Sequence, residues 1–146
     1  MEAPLPDAFV NTIKFIFDSD LIKIIRDRKT KLKKLKNLVE EINRWPIQPD
    51  KKTIAYEASK NINRLMEKLY ETPKDKLLLK TIKSILHTLK PLNLDFDLWK
   101  SQNLYFKLSR TAYPEMVEKS KQGDKKAEEW VKYFEELDGY LPSRSL

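Results

Sequence analysis

The chain has 146 residues, of which 40% are hydrophobic and 35% charged, and it carries a formal net charge of +7. It is long enough to bury a core without covalent staples and too apolar to remain disordered. The absence of cysteine excludes disulfides, thiol catalysis and cysteine metal sites, and a single histidine, His87, excludes histidine-rich ones.

Only two glycines occur, Gly123 and Gly139. The turns of sheet proteins consume glycine at positive φ, so this scarcity argues for helices. The expected fold class is all-α: a single domain over residues 1–146, built as a bundle of six or seven helices joined by short Pro-marked loops. No apolar run approaches the roughly 20 residues of a membrane span. The first residues also lack the basic and apolar regions of a signal peptide, so a cytoplasmic protein without a membrane partner is expected.

Pro4-Leu5-Pro6 makes residues 1–6 a stiff extended lead-in, as suited to a linker from an upstream catalytic domain as to a true beginning. Asp7 is a plausible N-cap for a helix over residues 8–18, with Phe9, Ile13, Ile16 and Phe17 at helical spacing. Asp18-Ser19-Asp20 predicts a second cap, for a helix that runs to Arg44 before Pro46 and Pro49. Its apolar stripe is Leu21, Ile25, Leu32, Leu35, Val39 and Ile42. Arg28 points into that stripe, which predicts a kink or boundary at residues 28–30.

Asp50 caps an expected helix over residues 51–71, whose buried face is Ile54, Ala58, Ile62, Leu65, Met66 and Leu69. Thr72-Pro73-Lys74-Asp75 reads as the next helix start, with Thr72 as the cap. Leu78, Ile82, Ile85, Leu86 and Leu89 should then pack inward before Pro91. After the short linker Leu92-Asn93-Leu94, Asp95 or Asp97 should cap a helix ending near Ala112. Pro114 opens a short helix that stops around Gly123. Asp124 caps the last helix, with Ala127, Trp130, Val131, Phe134 and Leu137 inward and Gly139 at the C′ position. Residues 139–146 form a tail.

Chemistry-bearing patterns are sparse. The pairs Glu40-Glu41, Glu128-Glu129 and Glu135-Glu136 sit beside lysines on charged helix faces, where a shared cleft for acid–base work is not expected. His87 has no Ser, Cys or second His nearby in sequence. No catalytic residue, cofactor site or metal site is therefore assigned. Eight basic side chains between Lys23 and Lys36 against Asp27 alone give this segment the whole charge excess of +7. Wheel angles set Lys23, Arg26, Lys29, Lys33, Lys34 and Lys36 opposite the apolar stripe, as a solvated face or as a weak contact for nucleic acid or another polyanion. The segment has no interleaved aromatics for stacking on bases.

The richest stretch is residues 94–108. Trp99, Gln102, Asn103 and Phe106 share one face at i, i+3, i+4, i+7 spacing, with Tyr105 beside them. Amides among aromatics suit either a core helix that caps a neighbour or an interface to a glycan or a partner domain.

Here the chain resembles a known family. Ala55-Tyr56-Glu57-Ala58-Ser59 to Asn61-Ile62-Asn63-Arg64-Leu65, then Leu69 with Thr72-Pro73, then Leu94-Asp95 to Leu98-Trp99-Lys100-Ser101-Gln102-Asn103 follow one another as in the uncharacterised helical C-terminal domain of some family 57 glycoside hydrolases, the alpha-amylase and alpha-mannosidase-like group. Leu5-Pro6-Asp7-Ala8-Phe9 and Trp130-Val131 to Phe134 fit more loosely. The family's catalytic carboxylates lie on an upstream barrel that nothing here matches. The resemblance implies a non-catalytic accessory domain. Its partners would be that catalytic domain, in cis or in trans, and a glucan, with Trp99, Gln102, Asn103, Tyr105 and Phe106 as contacts.

Overall fold

The computed structural model describes residues 6–27, 29 and 31–141. Among them all regular structure is helical: α1 (Asp7–Arg26), α2 (Leu32–Arg44), α3 (Lys51–Glu71), α4 (Lys76–Leu89), a 3-10 turn at Lys90–Leu92, α5 (Trp99–Arg110), α6 (Ala112–Lys121) and α7 (Lys125–Leu137). The all-α expectation holds. The lead-in before Pro6 and the tail beyond Leu141 lie outside the described residues. The chain gathers into two compact units, Met1–Ala58 with Thr88–Phe96, and Ser59–His87 with Asp97–Leu146.

In the first unit, α1 runs unbroken through Asp18-Ser19-Asp20, where a cap was expected. Asp18 is engaged in two other ways. One carboxylate oxygen takes the Lys14 ammonium at 2.9 Å, an i, i+4 pair within α1, and the other accepts the Asp50 backbone N–H at 3.0 Å. Asp50 caps α3 as expected, accepting from the Thr53 N–H at 3.3 Å and the Thr53 hydroxyl at 2.9 Å. Those bonds, the hydroxyl's foremost, hold the Asp50 carboxyl below its ordinary range.

The expected break is bracketed by the end of α1 at Arg26 and the start of α2 at Leu32; Arg28 and Thr30 lie outside the described residues. Leu21, Ile25, Leu35, Val39 and Ile42 are buried as the stripe requires. The earlier stripe is different: Phe9 and Ile16 are 47% and 49% exposed, and α1 buries only Leu21 and Ile25. Phe17 meets the Trp45 ring edge-on, with centroids 6.2 Å apart.

In the second unit, the late half of α3 buries Ile62, Leu65, Met66 and Leu69 as predicted. The start of α4 is shifted. The Thr72 hydroxyl turns back to donate to Lys68 O, and Asp75 Oδ1 accepts the Leu78 N–H at 3.0 Å, so Asp75 is the cap. Leu79 is fully buried in place of Leu78, which is half-buried.

Helix α6 ends in a Schellman motif: the Gly123 N–H reaches Ser120 O at 3.1 Å and the Asp124 N–H reaches Lys119 O at 3.1 Å. Gly123 has φ of +91°, the left-handed value this motif needs, whereas Gly139 stands at the expected C′ position, after the Asp138 C-cap, without a positive φ. Asp124 then caps α7 from the same turn, accepting from Lys126 N and Ala127 N.

The last four carbonyls of α7, orphaned in any helix, are all satisfied. Phe134 O accepts the Tyr105 hydroxyl at 2.7 Å, while Glu135 O, Glu136 O and Leu137 O accept from Asp138, Gly139 and Tyr140 N–H groups. Phe134 itself, 2% exposed, stacks on Tyr105, Tyr113 and Trp130 at centroid distances of 4.3, 5.1 and 4.9 Å. Trp130 donates its indole N–H to Pro73 O at 2.8 Å. Truncating Phe134 to alanine should cost about 3–5 kcal/mol, since it empties the middle of this stack. Urea denaturation followed by circular dichroism would show it as a large fall in midpoint.

Candidate functional site

Helix α5 begins where α3 lets it. Ser59 and Asn63 lie one turn apart on α3. The Ser59 hydroxyl accepts the Asp97 N–H at 3.0 Å, and the Asn63 amide donates to Asp97 O at 3.3 Å. With both backbone groups of Asp97 so engaged, residues 94–98 stay out of the helix. Asn63 Oδ1 then accepts from the backbone N–H of Ser101 at 3.2 Å and from its hydroxyl. Ser101 is the third helical residue, so Asn63 performs from another helix the work of an N-cap side chain. The predicted caps Asp95 and Asp97 do not do this, and the N-cap position is Leu98, without a side-chain bond. Lys100 pairs with Glu67 beside this junction.

The start fixes which way the helix faces. Ser101, Tyr105 and Leu108 point inward and are buried. Trp99 and Phe106, 53% and 45% exposed, lie on the outward side with Asn103 exposed and Gln102 half-buried. Four of the five candidate contacts thus share an accessible face, and Tyr105 belongs to the interior. The Arg110 guanidinium lies 4.5 Å from the centre of the Phe106 ring.

Next to Phe106 is a cleft of about 360 Å3 lined by Tyr105, Phe106, Ser109, Tyr113, Phe134, Glu135 and Asp138. The Tyr113 hydroxyl donates to Glu135 Oε1 at 2.6 Å, and this bond, with burial, pushes the Tyr113 phenol up. Burial, with the negative charge of Asp138 behind it, pushes the Tyr105 phenol well up. Both phenols therefore stay protonated and act as donors. The cleft offers aromatic surface with carboxylate oxygens at its rim, which can accept hydrogen bonds from a bound molecule.

Sequence reasoning missed Ser59 and Asn63, whose signal is a Ser and an Asn one turn apart on an otherwise apolar helix face. It also missed Tyr113 and Asp138, which reach the cleft only through the packing of α6 and α7. Asn61, another polar residue of α3, is 7% exposed; it accepts from Arg64 at 2.8 Å while its amide nitrogen has no partner among the described residues.

The other sequence candidates lie elsewhere. His87 is exposed, with Nδ1 2.7 Å from the Tyr140 hydroxyl. Glu129 and Glu136 pair with Lys76 and Lys83. Lys23, Lys29, Lys33, Lys34 and Lys36 are exposed in the first unit. Arg26 is not available like these. Its guanidinium forms a two-pronged pair with the buried Glu57, at 2.7 and 3.0 Å, and that hydrogen bond and charge hold its proton more firmly than usual. Among the described residues no three His, Asp or Glu side chains are grouped to hold a metal ion, and no helix is long and apolar enough to cross a membrane.

Compared with known protein families, curated proteins and solved structures, the chain matches none.

Replacing Asn63 by alanine should cost about 1–2 kcal/mol through the lost cap of α5. Amide hydrogen exchange would locate the loss: faster exchange in the first turn of α5 and unchanged protection in α7.

Proposed function

We propose that the chain is a non-catalytic helical accessory domain of a glycan-processing protein, of the glycoside hydrolase kind its residues resemble, and that α5 carries its docking surface. One observation carries this reading. Trp99 and Phe106 expose about half their surface on one face of α5, with the amide of Asn103 between them. Seven residues of α-helix place the two Cα atoms about 10 Å apart along the axis, a span longer than one sugar unit of a chain. Aromatic faces cover the apolar side of a sugar while amides and carboxylates accept from its hydroxyls. The cleft beside Phe106 extends the same chemistry, with Ser109, Glu135 and Asp138 on its lining.

The stretches that carry the resemblance also work together. Ser59 and Asn63 come from the first of them and Ser101 from the last, and the three side chains join where α5 begins. That junction turns Trp99, Gln102 and Asn103 outward, so the resembling residues build the proposed surface as well as being near it in sequence.

Calorimetric titration with linear glucan oligosaccharides tests the proposal. Binding is expected, and Trp99→Ala and Phe106→Ala should each weaken it at least tenfold. Stability should change by no more than about 0.5 kcal/mol, as for other exposed positions. Absence of binding both to glucans and to a family 57 catalytic barrel would sink it. So would a Trp99→Ala variant that unfolds easily yet binds normally once folded.

A further inference from the structure

Ion pairs take up part of the chain's lysines. In the second unit Lys74 and Lys119 share Glu115, Lys76 holds Glu129, Lys83 holds Glu136 and Lys100 holds Glu67. In the first unit Lys14 is taken by Asp18 and Arg26 by Glu57. The densest run of basic side chains outside these pairs is Lys23 at the end of α1, Lys29 and Lys31 between the helices, and Lys33, Lys34 and Lys36 in the first turns of α2. All six are exposed, and none forms an ion pair among the described residues. The first turn of α2 contains no acidic residue. Its lysines therefore add to the positive end of the helix dipole, where like charge is unfavourable until an anion arrives.

We infer that this lysine block is a binding surface for the phosphate backbone of nucleic acid, separate from the α5 face. Charge complementarity selects the partner: a row of phosphates neutralises closely spaced ammonium groups and releases counterions as it does so. Lysine supplies point charges without the planar fork that reads guanine, and no aromatic side chain lies between Lys23 and Lys36 to stack on bases. The contact is therefore to the backbone and independent of sequence.

An anionic membrane surface is the poorer fit. A helix that lies in a membrane interface buries an apolar face there. Leu35, Val39 and Ile42 of α2 are already buried in the protein. The exposed Phe9, Phe15 and Ile16 precede Lys23 by at least seven residues of α1.

Fluorescence anisotropy with a short labelled DNA duplex at varied salt tests the inference. If about five of these lysines meet phosphates, log K should fall with log salt at a slope of about −4.5, an affinity loss of about 500-fold between 50 and 200 mM. The triple variant Lys33→Gln, Lys34→Gln, Lys36→Gln should bring the slope to about −2. Glutamine is as good a helix former as lysine, so its circular dichroism should match the parent's. Lys74→Gln with Lys76→Gln, which removes two paired lysines, should leave affinity within about twofold, since exposed ion pairs contribute little. Trp99→Ala should leave it unchanged. A flat salt response of the parent, no binding at low salt, an unaltered slope in the triple variant, or retention on phosphatidylserine vesicles but not on DNA would each overturn the inference.

Discussion

Phe134 is the residue on which the second unit turns. Its ring is stacked against side chains from α5, α6 and its own helix, and its carbonyl is claimed by the hydroxyl of the same Tyr105 that stacks on it. The apolar and polar demands of one residue are thus met together. A tyrosine at 105 gives α5 both a buried ring and the donor that closes the end of α7. Because Tyr105 must point inward to do so, the opposite side of α5 is committed to the surface. The exposure of Trp99 and Phe106 follows from the interior, and so does the placing of the cleft, whose floor is the edge of the stack.

Two helix starts in this chain are fixed by side chains from another helix, beside the local caps Asp50, Asp75 and Asp124. With only two glycines available, left-handed termination falls to Asn93 after the 3-10 turn and to Gly123, where the Schellman turn hands directly to the Asp124 cap of α7. Elsewhere Asp18 of α1 takes the N–H of Asp50, which itself caps α3, and Asn63 of α3 caps α5. Each such bond satisfies a backbone group and fixes a crossing of two elements at once. That economy suits a protein whose loops are short and whose surface is crowded with charge.

This device also explains what the sequence disclosed and what it hid. The bounds and buried face of α3 were legible because six apolar residues repeat at helical period between Asp50 and the Thr72-Pro73 pair. The Asp50 and Asp124 caps were legible because they bond within three residues of themselves. Asp18-Ser19-Asp20 and Thr72 have the same local chemistry and are not caps. Asp18 is drawn to Asp50, 32 residues away, and the Thr72 hydroxyl turns back onto its own helix. A wheel likewise shows that α5 has two faces with aromatics on both, but only the junction with Ser59 and Asn63 decides which one turns in. For the candidate site, four residues of the outward face were read from spacing. The cleft beside them was not, because Tyr113 and Asp138 arrive from separate helices.

The charge pattern has the same logic. A lysine one turn from a glutamate, or facing one on a packed neighbour, is largely neutralised, and exposed pairs of this kind contribute little stability. In the second unit Lys74, Lys76, Lys83, Lys100 and Lys119 are held in this way. Between Lys23 and Lys36 basic side chains crowd together against Asp27 alone, and their like charges add. Arg26 marks the limit of that region. It is the one strongly directional cation of the block among the described residues, and the buried Glu57 takes both of its prongs. What remains in the block is a set of lysine point charges, without the planar fork of an arginine.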